Sequence, residues 1–295
     1  MEIGIIGGGS IGLLYSFYLS KNHVITLYTK RKEQADQINN NGLLLQKNEI
    51  SDKTIIKADF SSNYKEQVLI VTVKQYDIEQ VITQLKNQSP RTILFLQNGM
   101  GHLSYLSSLD KHQILLGIAE HGALRTNDYI VNHTGIGITK ISHYNQKNKR
   151  NVLLDQLLMD QDPVFPMELK SDWKKMLSEK LVVNATINPL TAVLHVKNGL
   201  LIENGYFKKI LHELFLEVVH ILGLEKEMHL WDHVQTICKN TSENSSSMLK
   251  DIQGGRQTEI DSILGYLINQ AGNTNKLYPH ITFLYHAIKG MESVR

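Results

Sequence analysis

The first half of the chain alternates short apolar runs with helical patterns. Residues 3–6 form an apolar run, residues 13–19 have helical periodicity, and residues 24–28 form a second apolar run. Further runs, rich in β-branched residues, predict strands at 68–73, 92–96, 114–118 and 136–141. Strands that alternate with helices predict an α/β domain with a doubly wound, mainly parallel sheet.

The second half of the chain has a different period. Pro163 and Pro166 follow the strand-rich part, and from Trp173 onward the apolar positions recur as they do in helices. Breaks are expected near 198–199, 223, 240–246, 254–255 and 273–279. We therefore expect two domains, an α/β domain over residues 1–168 and an all-helical domain over residues 169–295.

A glycine-rich segment lies between the first apolar run and the first helix. It has the form G-x-G-x-x-G and consists of Gly7, Gly8, Gly9, Ser10, Ile11 and Gly12. The hexapeptide alone is a weak signal, and a plain glycine turn is the alternative. With a strand before it, a helix after it and a second strand beyond, it favours a Rossmann-type unit that binds a dinucleotide. The pyrophosphate would then lie at the helix N-terminus.

The residues after the second apolar run bear on the choice of cofactor. An NAD-binding unit would place Asp or Glu there to bind the ribose 2′-hydroxyl, but this chain has Lys30, Arg31 and Lys32. Cations without a carboxylate suit a 2′-phosphate, so the sequence favours NADP(H). Either Lys30 or Arg31 could be the phosphate ligand, and a solvated basic turn is the alternative.

Two polar residues follow predicted strands of the sheet. Lys74 comes directly after residues 68–73, and Asn98 comes shortly after residues 92–96. Ligands of open α/β sheets lie beyond the carboxyl ends of the strands, so both side chains are expected at the crevice that holds the glycine loop. Each of them alone would be an ordinary capping or turn residue.

Polar residues recur every fourth position in an otherwise apolar helical segment. Lys180, Asn184 and Asn188 share one stripe of that helix, where unpaired polar groups would be costly. We interpret the stripe as facing a ligand, although a core helix with paired polar groups is the alternative. Pro189 is expected to end or kink the helix and thereby free Asn188.

Two further segments carry candidate chemistry. Residues 242–251 contain Asn244 and Ser247 at a predicted helix start, which suits either capping or the binding of a small carboxylate. Glu259 and Asp261 follow within an Ile/Leu pattern. For both acids the ordinary interpretation is a solvated helix face.

The charge balance and the cysteine content exclude several classes of protein. The 31 basic residues nearly balance the 29 acidic ones, which supports neither a nucleic-acid partner nor a membrane surface. The single cysteine, Cys238, cannot build a disulfide or a thiolate metal cluster, so no metal is expected. With no signal peptide and no apolar run long enough for a membrane span, the sequence predicts a cytoplasmic protein.

Together these motifs resemble the ketopantoate reductase (2-dehydropantoate 2-reductase) family almost from end to end. The most specific segments are residues 180–192, with the sequence KLVVNATINPLTA, and residues 246–251, with the sequence SSMLKD. The resemblance also includes Gln97–Gly101, Lys197–Gly199 and Arg256–Asp261. It implies an NADPH-dependent oxidoreductase that reduces 2-dehydropantoate to (R)-pantoate in pantothenate biosynthesis.

The resemblance also assigns roles to residues. Lys180 is similar to the general acid of the family, and Glu259 to the acid near the cofactor and the lysine. Substrate contacts would come from Lys180, Asn184, Asn188, Asn198, Asn244 and Ser247. Cofactor contacts would come from the glycine loop, Lys30 or Arg31, Lys74, Asn98, Ala123 and Glu259. The partner is then a small 2-oxo acid, and assembly as a homodimer is left open.

Two other functions are compatible with this pattern. One is an NADP-dependent reductase of the same architecture that acts on another 2-oxo acid. The other is a non-enzymatic protein that senses NADPH, although such a protein would not need both Lys180 and Glu259.

Overall fold

The computed structural model describes residues 1–47, 50–145, 151–160, 162–272 and 277–294, which divide into two compact units. The first unit is Met1–Gln97 with Ser104–Met176, and the second is Asn98–Leu103 with Leu177–Arg295. The boundary expected at residue 168 falls inside a strand of the first unit, Met167–Lys170. The division lies later, within a helix, and residues 98–103 group with the second unit.

The first unit contains both strands and helices. Its strands are β1 (Glu2–Ile6), β2 (Val24–Tyr28), β3 (Leu43–Lys47), β4 (Ile50–Thr54), β5 (Lys57–Asp59), β6 (Val68–Val71), β7 (Thr92–Phe95), β8 (Gln113–Ala119), β9 (Gly122–Arg125), β10 (Ile130–Gly135), β11 (Thr139–His143) and β12 (Met167–Lys170). Its helices are α1 (Ser10–Leu19), α2 (Lys32–Asn41), α3 (Ile78–Lys86) and α4 (Val152–Met159), with a 3-10 turn at Gln75–Asp77.

The larger sheet of the described chain has the order β12-β11-β8-β7-β6-β1-β2-β5. Its strands pair in parallel except at β11, which is antiparallel to β8. The predicted α/β fold with a helical C-terminal part is confirmed. The strand expected from residue 136 begins only at Thr139. The backbone at Gly137 lies against that of Glu120, where a Cβ atom would be 2.3 Å from the Glu120 carbonyl oxygen, so this position requires glycine.

A second sheet, which the sequence analysis missed, has the order β4-β3-β10-β9. Helix α1 packs against β1 and β2 of the larger sheet and against β3, β9 and β10 of the smaller one. Burial on both sides explains why α1 is apolar nearly all round, with Leu13, Leu14 and Tyr15 fully buried. Since α1 begins at the glycine loop, the smaller sheet also brings the β9–β10 hairpin to that loop.

The second unit is helical. Its helices are α5 (Trp173–Leu194, which begins in the first unit), α6 (Leu200–Glu203), α7 (Gly205–Leu222), α8 (His229–Asn240), α9 (Ser247–Gln253), α10 (Tyr266–Ala271) and α11 (Pro279–Ser293). The breaks expected between 198 and 255 fall between these helices, whereas residues 273–276 of the last expected break lie outside the described residues. No helix in the described part of the chain is long and apolar enough to cross a membrane.

Helix α5 does not end at Pro189, which was one of the two outcomes expected there, an end or a kink. The helix continues to Leu194 with Pro189 buried inside it. Proline removes the backbone donor that would bond to the carbonyl four residues earlier, and its ring crowds that carbonyl, but packing of an almost wholly buried helix outweighs these costs. One turn later, the Thr191 hydroxyl donates to the carbonyls of Ile187 (2.8 Å) and Asn188 (3.0 Å). Release of Asn188 by a helix end therefore plays no part in the site.

Candidate active site

The glycine loop has the geometry that its sequence requires. Gly7 has a φ of 118°, and a Cβ atom there would lie 2.9 Å from the Thr72 hydroxyl. A Cβ atom on Gly12 would lie 1.8 Å from the Gly7 carbonyl oxygen, so only glycine lets α1 pack this close. Steric contacts within the protein therefore account for glycine at both positions, without reference to a ligand.

Gly9 is different, because a Cβ atom there would meet nothing within 4 Å. It is the N-cap residue of α1, and no side chain caps that helix end. A helix N-terminus attracts anions through its exposed N–H groups and its dipole. The open space beside Gly9 is therefore where a phosphate-containing ligand could approach the backbone.

Each of the two candidate phosphate ligands has a carboxylate partner. Lys30 Nζ lies 2.7 Å from Asp77 Oδ1, and this hydrogen bond raises the pKa of Lys30. Arg31, at the N-cap position of α2, forms an ion pair with Asp128 in the β9–β10 turn. Neither acid could be predicted as a partner of the basic turn, because both are distant from it along the chain.

The other cofactor-side residues of the first unit lie at strand ends or in the smaller sheet. Lys74 is half-buried between β6 and the 3-10 turn, where its carbonyl accepts a hydrogen bond from the Asp77 N–H (2.9 Å). Ala123 lies in β9, opposite His133 of β10. Their roles in cofactor binding stay predictions.

The stripe on α5 is present as expected. Asn184 is buried, whereas Lys180 and Asn188 are partly exposed on the same helix. The amide nitrogen Nδ2 of Asn184 is buried without any hydrogen-bond partner. An unpaired buried donor costs about 1–3 kcal/mol, so it marks a place where a ligand acceptor would be favourable.

Asn198 and Asn244 meet in the loop segments of the second unit. The Asn198 N–H donates to the Asn244 carbonyl (3.0 Å), and Asn198 Nδ2 donates to the Thr241 hydroxyl (2.9 Å). The other amide atom of the buried Asn198, Oδ1, has no partner. Gly199 permits this approach, since a Cβ atom there would lie 2.7 Å from the Ser242 Cβ.

Helix α9 is capped by a serine that the site prediction did not include. Ser246 is the N-cap residue; its hydroxyl accepts from the Leu249 N–H (3.1 Å) and lies within hydrogen-bond distance of the Thr191 hydroxyl (2.8 Å). Ser247 and Asn244 are exposed beside it. The contact between Thr191 and Ser246 ties α5 to the segment that carries Ser247. A capping position is readable from the sequence, but its partner Thr191 is not.

Glu259 is buried and held by Asn98, whose Nδ2 donates to Glu259 Oε2 at 3.0 Å. Asn98 groups with the second unit, and its expected place at the crevice that holds the glycine loop stays a prediction. The Ser262 hydroxyl donates to the carbonyls of Asn98 (3.1 Å) and Glu259 (2.9 Å). Gly99 has a φ of 76° and no room for a Cβ atom against Ser262. This network fixes Asn98 and Glu259 together.

The segment after Glu259 is a π-helical turn, Asp261–Gly265, an irregularity that is frequent at functional sites. The Thr258 N–H before it donates to Glu292 Oε1 of α11 (2.7 Å). Among the described residues, no group of three or more His, Cys, Asp or Glu side chains could hold a metal ion.

Comparison with known proteins gives the family. Residues 3–146 match the family model of ketopantoate reductase PanE/ApbA, and residues 172–292 match the model of its C-terminal domain. The chain belongs to the ketopantoate reductase family. The resemblance deduced from the motifs is thereby confirmed, and the chain is an oxidoreductase.

Relatives of this ketopantoate reductase family member match over the full length. The 2-dehydropantoate 2-reductase of Bacillus subtilis (strain 168) is 44% identical over 295 residues, which cover 99% of this chain and 98% of that protein. A crystal structure of a probable 2-dehydropantoate 2-reductase from the same organism has a TM-score of 0.90 at 43% identity, covering 99% of this chain and 100% of that one.

The same fold is found in a dehydrogenase. A D-mandelate dehydrogenase solved with NADH and anilino(oxo)acetate has a TM-score of 0.89 at 19% identity, covering 100% of this chain and 99% of that one. At that identity the likeness concerns the fold alone. A nicotinamide cofactor is nevertheless the class that the family assignment supports.

Proposed function

We propose that this enzyme reduces 2-dehydropantoate to (R)-pantoate with NADPH, the step that supplies pantoate for pantothenate. The observation that carries the proposal is the pair of unpartnered amide atoms, Asn184 Nδ2 and Asn198 Oδ1, buried in the unit that contains Lys180. One is a donor and the other an acceptor. A substrate with both carbonyl and hydroxyl groups could satisfy both of them.

Buried amides also give a basis for specificity. A site built to hydrogen-bond a hydroxyl group rejects an analogue that lacks it, because the protein atoms are then left unpaired. 2-Dehydropantoate differs from simpler 2-oxo acids in its 4-hydroxyl group. We assign its oxygen atoms to Asn184, Asn188 and Asn198, and its carboxylate to Ser247 with Asn244 nearby.

Lys180 supplies charge and a proton. Its ammonium group stabilises the negative charge that develops on the ketone oxygen, and Nζ then donates a proton to the alkoxide. Helix α5 is almost entirely buried around Lys180, which fixes the position of the backbone from which this side chain extends. A rigid helix is a better support for this role than a loop would be.

Glu259 is assigned to orient Lys180 and the cofactor. Its carboxylate is buried and held at Oε2 by Asn98. A carboxylate with a fixed position can keep an ammonium group in one orientation, whereas a solvated acid could not. Asn98 is then a residue that positions Glu259 as well as a predicted cofactor contact.

The residues of the first unit fit NADPH. Gly9 leaves open space at the uncapped start of α1, and Lys30 and Arg31 provide cations at the end of β2. When bound, the nicotinamide supplies the hydride. Lys74 and Ala123 are the other predicted contacts of this unit.

The decisive assay is oxidation of NADPH by the purified enzyme with 2-dehydropantoate, followed at 340 nm against pyruvate and 2-oxoisovalerate as controls. We expect turnover with 2-dehydropantoate and at least about a hundredfold lower kcat/KM with substrates that lack the 4-hydroxyl group. Faster turnover of another 2-oxo acid would support a related reductase. Binding of NADPH without turnover of any 2-oxo acid would support a sensor.

The cofactor assignment needs a separate test. Replacing Lys30 and Arg31 together by Glu should raise KM for NADPH much more than KM for NADH, since only NADPH carries the 2′-phosphate. Equal changes would count against a phosphate site at this turn. Cytoplasmic location and assembly as a homodimer stay predictions.

A further inference from the structure

Two charged residues outside the β1-α1-β2 segment contact the glycine loop and the basic turn. Arg125 is the last residue of β9, and Asp128 lies in the turn before β10. We propose that these two residues set how strongly the enzyme prefers NADPH to NADH. Arg125 acts as a second cation for the 2′-phosphate, and Asp128 competes with that phosphate for both cations.

The hairpin is fastened to the loop by several hydrogen bonds. The Arg125 N–H donates to the Ser10 hydroxyl (3.0 Å), and its guanidinium donates to the Gly8 carbonyl (3.2 Å). Gln34 Nε2 donates to the same carbonyl (2.8 Å) and to the Asp128 carbonyl (3.1 Å). The positions of Arg125 and Asp128 relative to the loop are therefore set by the fold of the first unit.

Two cations share one carboxylate in this cluster. Asp128 Oδ1 pairs with Arg31 and lies 3.9 Å from Arg125 Nη1. The two guanidinium groups therefore converge on one anionic oxygen atom, and the cluster keeps a net positive charge. A phosphate dianion matches two guanidinium groups better than one carboxylate does.

The carboxylate has the opposite effect on the two cofactors. It repels the 2′-phosphate of NADPH and occupies the donors that the phosphate would use. NADH has no 2′-phosphate and is not repelled in this way. In NAD enzymes an acid near the end of the second strand binds the ribose 2′-hydroxyl, so Asp128 could do the same for NADH. The side chains of Arg31, Arg125 and Asp128 are 50%, 39% and 27% exposed, so a ligand can reach them.

This inference rests on the proposed use of NADPH, and it changes how the basic turn is understood. The sequence there has no acid, yet the fold supplies one from a hairpin about a hundred residues later in the chain. The cofactor preference would then depend on the balance between Arg31 and Arg125 on one side and Asp128 on the other. Lys30 has its own acid, Asp77, outside this cluster.

The test measures Kd for NADPH and for NADH by calorimetry in the full-length wild-type and variant enzymes. Asp128→Asn should tighten NADPH roughly threefold to tenfold and leave NADH unchanged or weaker, because one partly screened like charge is removed. Arg125→Gln should weaken NADPH roughly tenfold with little change for NADH. The ratio of the two Kd values thus moves in opposite directions in the two variants.

Glu168→Gln is the matched control. It also removes one carboxylate from an ion pair, with Lys170 at 2.6 Å, but on β12 at the far edge of the larger sheet from β2. The ratio should stay at the wild-type value in this variant. Arg125→Lys, which keeps the charge, should retain more of the NADPH preference than Arg125→Gln, and melting curves establish that each variant is folded.

The outcomes separate this inference from the proposed function. A wild-type enzyme that binds NADH more tightly than NADPH would contradict the proposed cofactor. Even in that case, Asp128→Asn should lower Kd for NADPH relative to Kd for NADH if the inference is right. If Asp128→Asn and Arg125→Gln change both Kd values by the same factor, or leave the ratio as it is in Glu168→Gln, the inference is wrong.

Discussion

Asn98 Nδ2 donates a hydrogen bond to Glu259 Oε2 at 3.0 Å, across 161 positions of the sequence. Because the carboxylate is buried, we expect the two side chains to be coupled by about 2 kcal/mol in the free energy of unfolding. A double-mutant cycle with Asn98→Ala and Glu259→Ala, measured by urea denaturation, gives this coupling. The same cycle with Asn98→Ala and Asp232→Ala, an exposed acid on α8, should be additive. Additivity in both cycles would remove Asn98 as the residue that positions Glu259.

If Lys180 is the proton donor, replacing it should lower turnover while the protein stays folded. We expect Lys180→Ala to lower kcat roughly a hundredfold or more, as for a lost general acid. Lys174→Ala, at an exposed position near the start of the same helix, is the control and should keep wild-type kinetics. Near-normal turnover in a folded Lys180→Ala enzyme would exclude Lys180 as the proton donor.

Asn184 should be a residue whose replacement stabilises the fold and abolishes the activity. Its Nδ2 is buried without a partner, so Asn184→Leu should raise the free energy of unfolding by about 1 kcal/mol and strongly lower kcat/KM. Thr186→Val is the matched control two residues later. The Thr186 hydroxyl is already bonded to the carbonyls of Val182 and Val183, so this variant should gain no stability and keep its activity. A less stable, fully active Asn184→Leu enzyme would contradict the assignment.

The sequence predicted those features that depend on local pattern. The glycine loop, the strands β1, β2, β6, β7, β8 and β11 of the larger sheet, and the stripe of Lys180, Asn184 and Asn188 follow from strand and helix periodicity together with the steric demands of glycine, whereas β5 and β12 at the edges of that sheet were not predicted. The smaller sheet was missed because β4 is largely exposed, β9 and β10 are only partly buried, and none of them has a clean apolar run. The continuation of α5 beyond Pro189 was missed because tertiary packing outweighed a local preference.

The partners of the site residues could not be predicted from sequence. Asp128 meets Arg31, Asn98 meets Glu259, and Ser246 meets Thr191, each across tens of positions or more. Such contacts depend on how the units fold, which no local pattern encodes. The residues that carry chemistry could be named from the motifs, whereas the residues that hold them in place needed coordinates.

Buried histidines should make the fold sensitive to acid. Burial, with a smaller contribution from His133, lowers the pKa of His121 from 6.5 to about 4. The unfolded chain therefore binds a proton at His121 in a pH range where the folded chain does not, and stability falls as the pH is lowered from 6.5 toward 4. Between pH 6.5 and pH 5 the contribution is about 2 kcal/mol.

Denaturation of His121→Asn at these two pH values tests the contribution. An asparagine oxygen can still accept the hydrogen bond that His121 Nδ1 takes from the Gly137 N–H (3.2 Å). We expect the acid loss of stability to be smaller in this variant than in the wild type, and unchanged in His233→Asn, which alters an exposed histidine of α8. An equal loss in all three proteins would show that His121 is not responsible.

The backbone conformation of His195, just after α5, predicts a stabilising substitution. His195 has a φ of 56°, in the left-handed region that side chains with a Cβ atom avoid, and Val196 N–H donates to the Thr191 carbonyl (3.2 Å). The end of α7 has the same hydrogen-bond pattern, from the Leu224 N–H to the Val219 carbonyl (2.8 Å), but with Gly223 at the left-handed position (φ 66°).

We expect His195→Gly to stabilise the protein by about 1 kcal/mol and Gly223→Ala to destabilise it by about as much. A Cβ atom at Gly223 would touch nothing within 4 Å, so strain in the backbone alone is measured there. If His195→Gly is less stable than the wild type while Gly223→Ala behaves as expected, contacts of the His195 side chain outweigh the strain.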